Sequence, residues 1–203
     1  MNILITGGLG FIGSVFAEKL SANKKNKLTV IDNYSGYSSS GNKLMKDISN
    51  IKIIEGDVTS ESISKHFIGI DCVYHFAANS KISEGVNDPK IDFNISAKGT
   101  HNVLSCMADN DVKRIIFSSG SGVYGNQDDL NLNESFGPLL PVSFYGASKL
   151  CAEAYIAAFC GMKGINASIF RFANVVGKRQ THGVVYDFVN KLFRSRIELF
   201  VFF

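Results

Sequence analysis

The chain has 203 residues, 45% of them hydrophobic, and a formal net charge of +3. That supplies one sizeable core, leaves room for a fragment of a second domain, and is too apolar for a disordered segment. The charge sits in short clusters such as Lys24-Lys25-Asn26-Lys27, read as a solvated loop, and the absence of a long basic stripe argues against a nucleic-acid partner.

The chain enters a strand over residues 2–6 at once, with no basic region or apolar export segment before it. No later apolar run approaches the roughly 20 residues of a membrane span, so a cytoplasmic protein without a membrane partner is expected. The strand runs into Thr6-Gly7-Gly8-Leu9-Gly10-Phe11-Ile12-Gly13, which opens an amphipathic helix over 11–22. A glycine-rich turn between a strand and a helix is a dinucleotide fingerprint. Gly7 makes the tight turn, Gly10 lets backbone approach a pyrophosphate, and Gly13 allows close helix packing, with Phe11 and Ile12 counted in the same site. The pyrophosphate would meet free N–H groups at the positive end of the helix dipole.

A second strand over 27–31 ends at Asp32, close to the ~20-residue offset at which a carboxylate binds the ribose hydroxyls of NAD and repels the 2′-phosphate of NADP. The alternative is that Asp32 only forms a turn. Asn33 joins it at the head of a Gly, Ser and Asn-rich loop over 33–42, beside the adenosine half of a dinucleotide. The third strand, 51–55, leads to Asp57 and Val58, and the fourth, 71–76, ends in Phe76-Ala77-Ala78, where small residues let backbone run beneath adenine and ribose. Either set alone fits ordinary loop chemistry. His75 is read as a satisfied strand residue, since no Cys or second His lies at metal spacing.

Residues 90–109 carry Ile91, Ile95, Val103 and Met107 at helical spacing, 113–118 form a fifth strand, and 145–160 are an alanine-rich helix. That last helix begins Tyr145-Gly-Ala-Ser-Lys149, a phenol and an ammonium one turn apart on one face. The charge should lower the tyrosine pKa, and a tyrosinate can accept a proton from a carbinol while hydride leaves the same carbon for nicotinamide. Lys149 can also hold the nicotinamide ribose. A sixth strand spans 165–170, and His182 opens a helix toward substrate-binding elements. The apolar end, Phe200-Val-Phe-Phe203, carries no turn signal and suggests a chain cut short or read out of frame. Cys72, Cys106, Cys151 and Cys160 lie in apolar stretches and are expected as buried, reduced thiols.

Six strands alternating with helices predict an α/β fold, a Rossmann-type doubly wound parallel sheet in the order 3-2-1-4-5-6. The domain expectation is a dinucleotide-binding unit over 1–180 and the start of a substrate-binding region over 181–203.

The segments TGGLGFIGS, GDV, HFAA, NISAKGTHNVL, SSGSGVYG, YGASKLCAE and RFANVVGKRQ together resemble the extended short-chain dehydrogenase/reductases, the NAD-dependent sugar epimerase/dehydratase family. The resemblance runs from residue 1 to about residue 193 and is greatest to UDP-hexose 4-epimerases. It implies NAD as cofactor, Tyr145 and Lys149 as the catalytic pair, Asn94 ordering the site behind the cofactor, Phe172 near the nicotinamide and Asn174 at the sugar diphosphate. Family members place a Ser or Thr four residues before the Tyr of Val-Tyr-Gly. Here that position is Gly120, flanked by Ser119, the favoured catalytic hydroxyl, and Ser121, a substrate contact; otherwise these serines only satisfy loop backbone.

The acidic groups that follow this Ser/Thr in the family's dehydratases and decarboxylases are missing from Gly120-Ser121-Gly122, which leaves 4-epimerisation of a UDP-hexose through a transient 4-keto sugar. Family members run past 300 residues, so the alternatives are a non-catalytic NAD-binding remnant or another sugar-modifying reaction. Helices 90–109 and 145–160 resemble the pair through which relatives form a homodimer. Ala147, Ala154, Ala157 and Ala158 would permit close approach there, or would pack on the sheet.

Overall fold

Six short β-branched and aliphatic runs pair in parallel in the order β3-β2-β1-β4-β5-β6, the expected 3-2-1-4-5-6 arrangement. The structure is a computed structural model that describes residues 1–36, 45–127 and 131–194. The strands are β1 Asn2–Thr6, β2 Lys27–Asp32, β3 Ile51–Glu55, β4 Cys72–His75, β5 Arg114–Gly120 and β6 Asn166–Phe172. Register pairs Ile3 with Leu28 on one side and with Cys72 on the other, so β1 lies at the centre. The last two strands run two residues further than expected, because Ser118, Ser119 and Gly120 pair with Phe170, Arg171 and Phe172.

Side chains alternate across a sheet, and the two faces bury separate clusters. Leu4, Ile31, Val73 and Phe117 meet Val103, Leu104, Met107, Ala152 and Ile156 on one face. Ile3, Ile5, Leu28 and Val30 meet Leu9, Ala17 and Met45 on the other.

The helices are α1 Phe11–Ser21, α2 Ile82–Asn87, α3 Pro89–Asp92, α4 Gly99–Asp109, α5 Phe144–Lys163 and α6 Val184–Arg194. Helix α5 starts where Ser143 Oγ accepts the Gly146 amide at 3.0 Å and stops at Gly164, whose φ of 65° is the left-handed cap that glycine adopts freely. The expected single helix over 90–109 is instead α3, a π-helical turn Phe93–Lys98 and α4. Widening the turn to i→i+5 bonding rotates the faces that follow.

Two expectations about burial are corrected. Cys72 and Cys106 are buried, but Cys151 and Cys160 on α5 are only half-buried. The alanines at 147, 154, 157 and 158 are exposed and do not pack on the sheet, which contacts α5 through Ala152 and Ile156. Lys24, Lys25 and Lys27 are solvated as expected, while Asn26 is buried and donates to the Leu20 carbonyl at 2.9 Å. The loop over 33–42 is described only as far as Gly36, and the apolar terminus after Arg194 lies outside the described residues. All four thiols are free. Among the described residues no helix is long and apolar enough to cross a membrane, and no group of His, Cys, Asp and Glu could hold a metal ion.

Candidate functional site

The strand order reverses between β1 and β4, and in an open parallel sheet that reversal leaves a crevice beyond the strand ends. A cavity of about 650 Å³ lies there, in the size range of small-molecule sites. Gly7, Gly10, Phe11, Ile12, Gly13, Asp32, Asn33, Asp57, Val58, Phe76, Ala77 and Ala78 all line it. So do Ser119, Ser121, Tyr145, Lys149, Phe172 and Asn174.

Glycine is required at two points of the opening loop. Gly7 has φ 65°, and a Cβ there would lie 2.6 Å from the Ala77 amide nitrogen. At Gly13 a Cβ would stand 2.3 Å from the Gly7 carbonyl oxygen, so the contact that glycine makes possible is with the turn itself. Helix α1 then begins with no side-chain cap and no acid in its first turn. Its first-turn amides have no acceptor within the helix, and its positive end opens on the cavity, which fits a phosphate group.

Asp32 accepts the Leu9 amide on Oδ2 and the Tyr34 amide on Oδ1, each at 2.9 Å. These bonds give Asp32 a turn-forming role, and its carboxylate also lines the cavity. Asp57 accepts the Thr59 amide and hydroxyl on Oδ1 and the Asn33 amide group on Oδ2. Burial alone would raise the Asp57 pKa, but these hydrogen bonds outweigh it and hold the carboxyl below its usual value. Beneath the loop, His75 bridges Thr6 Oγ1 at 2.6 Å and Thr100 Oγ1 at 2.9 Å. Burial first, and the Lys149 charge second, push this satisfied strand histidine down to about 3, so it stays neutral.

At the other end of the cavity stand Tyr145 and Lys149. Lys149 is buried, and Nζ donates to the Ser118 carbonyl at 2.7 Å while lying 4.8 Å from the centre of the Phe117 ring and 5.8 Å from that of Tyr145. Burial lowers its pKa to about 8, against the opposing pull of the Asp92 and Glu153 carboxylates. The expectation of a lowered tyrosine pKa is corrected: burial, with a contribution from Asp92, raises it. Desolvation of the phenolate dominates here.

Two further expectations change. Asn94 is exposed and does not line the cavity; the π-helical turn directs Ile95 to the wall and buries Ser96. Ser119 does not offer its hydroxyl to the cavity, because Oγ donates to Glu153 Oε1 at 2.5 Å. Ser121, one residue past the strand, is exposed at the wall. At Gly120 a Cβ would meet only the Phe172 carbonyl at 3.8 Å and Tyr145 Cε1 at 3.9 Å, so this position abuts the phenol.

Sequence reading missed Asp92, Glu153 and Arg171. Asp92 is buried and accepts from Asn79 Nδ2 at 3.0 Å. Glu153 joins Ser119 to Arg171, whose Nη2 lies 2.8 Å from Oε2 and whose guanidinium carbon stacks 4.9 Å from the Tyr124 ring centre. Buried carboxylates beside a buried lysine follow from packing that spacing alone does not reveal.

Residues 3–199 match the model of the NAD-dependent epimerase/dehydratase family. The chain is 34% identical to a putative UDP-glucose 4-epimerase of Methanocaldococcus jannaschii, over 96% of this chain and 64% of that protein. A UDP-N-acetylglucosamine 4-epimerase structure from Methanobrevibacter ruminantium superposes with a TM-score of 0.87 at 32% identity, covering 95% of this chain and 63% of that one. A dTDP-glucose 4,6-dehydratase from Streptomyces venezuelae, with NAD bound, gives 0.88 at 28% identity, covering 96% and 62%. The chain thus spans less than two thirds of the length of these relatives.

Proposed function

The chain belongs to the NAD-dependent epimerase/dehydratase family, and we propose that within it the chain is a UDP-hexose 4-epimerase of the UDP-glucose/UDP-galactose type. The observation that carries this reading is one cavity with an open helix N-terminus at one end and Tyr145 above buried Lys149 at the other. Gly7, Gly10, Phe11, Ile12 and Gly13 hold the pyrophosphate of NAD, and Asp32, Asn33, Asp57 and Val58 hold its adenosine half. Phe76, Ala77, Ala78 and Phe172 flank the rest. The chemistry that bound NAD would supply is reversible hydride acceptance at the sugar C4.

In its phenolate form, Tyr145 accepts the proton of the 4-hydroxyl and returns it to the same oxygen after the ring has turned its other face to the cofactor. Lys149, fixed by the Ser118 carbonyl, keeps a positive charge beneath the reacting oxygen. Ser121 takes the substrate contact expected of the missing hydroxyl at Gly120, and Asn174 meets the sugar diphosphate. Residues 181–203 open the substrate side. The exposed alanine face of α5, beside α4, serves a homodimer.

A second reading, in which the chain holds NAD without turning over a sugar, is favoured by the exposed apolar side chains Val184 and Val185 of α6 at the cavity wall. Purified protein incubated with NAD+ and a panel of UDP-hexoses separates the two. Interconversion of the glucose and galactose configurations supports the epimerase; bound dinucleotide with no turnover selects the second reading.

A further inference from the structure

The segment that follows β6 is fastened to the first helix by an arginine with no part in the chemistry above. Ala173, Asn174, Val175, Val176 and Gln180 line the cavity on this side, as Gly10 to Gly13 do at the start of α1. The two walls approach closely: a Cβ on Gly177 would lie 3.9 Å from the Phe11 ring. Arg179 itself is not a cavity residue. Its Nη1 donates to the Ser14 carbonyl at 2.7 Å, and its Nη2 donates to Glu18 Oε2. Lys178 Nζ stands 3.7 Å from the other oxygen of the same carboxylate.

Three features set this pair apart from an ordinary surface ion pair. The Arg179 side chain is 6% exposed although it carries a full charge. Its Nε is buried with no partner. Its backbone sits at φ 75°, a left-handed conformation that costs a non-glycine residue energy. A desolvated cation on a strained residue persists only where its contacts hold it, and these contacts join residues 165 and 161 positions apart.

We propose that Arg179 and Glu18 form a clasp that ties the two walls of the cavity together and slows release of the dinucleotide. The inference rests on the NAD reading and gives that reading a requirement. A cofactor that takes a hydride and returns it to the same sugar must stay bound while the ketone turns over. Opening the clasp frees residues 174–183 to move away from α1, and the dinucleotide leaves faster.

The test is the NADH dissociation rate, followed by displacement with excess NAD+, in the unaltered chain, Glu18→Gln and Arg179→Met. Loss of a charged, partly desolvated hydrogen bond should speed dissociation by roughly tenfold or more. Equal rates in all three proteins overturn the clasp. If the unaltered chain takes up no NADH, the cofactor reading fails separately. The clasp is then judged by amide exchange over residues 174–183, which must quicken in Glu18→Gln and, if unchanged, refutes it.

Discussion

Tyr145 and Lys149 are neighbours on one helix face, yet burial drives them in opposite directions, the phenol up and the ammonium down. Tyr145→Phe removes only the proton acceptor. Turnover of a UDP-hexose should fall by at least a factor of roughly a hundred, with NADH affinity little changed; retained turnover refutes the assignment of the base. Lys149 also leaves a mark on stability. Its folded-state pKa of about 8 lies below the unfolded value of 10.5, so between these the unfolded chain binds more protons. Stability therefore rises with pH across that window, by on the order of 3 kcal/mol from this group. Urea unfolding should show that rise in the unaltered chain and lack it in Lys149→Met; parallel curves would remove the buried charge from the account.

At the scale of elements, the dinucleotide end of the cavity depends on β1 turning into α1 with backbone against backbone. Gly13→Ala puts a Cβ 2.3 Å from the Gly7 carbonyl oxygen, so the turn must shift. The expected cost is roughly 1–3 kcal/mol of unfolding free energy, with a loss of NADH affinity that titration would detect; full affinity would contradict the cradle. Elements whose information is local were legible in the sequence. Strand order followed from alternating patterns, and the glycines, Asp32 and Tyr145-x-x-x-Lys149 followed from spacing. What escaped depends on contacts between distant segments. Ser119 meets Glu153 across 34 positions and Arg171 meets the same carboxylate across 18. A π-helical turn moved Asn94 to the surface, and nothing in the Ile91, Ile95, Val103 pattern marks where a helix widens.

For the whole molecule, the exposed alanines of α5 form the face proposed for a second copy, with His101 and Tyr155 edge to face beside it at 5.2 Å. Sedimentation should report a dimer, and Ala157→Glu, which sets a charge on that face, should give a monomer; an unaltered sedimentation coefficient would exclude this surface. The proposed reaction oxidises a sugar carbon and reduces the same carbon again within one cavity. It is tested most directly with UDP-galactose deuterated at C4, incubated with the chain and NAD+. The expected product is UDP-glucose that retains deuterium at C4, because the hydride leaves and returns without meeting solvent. Product with protium at C4 would contradict it.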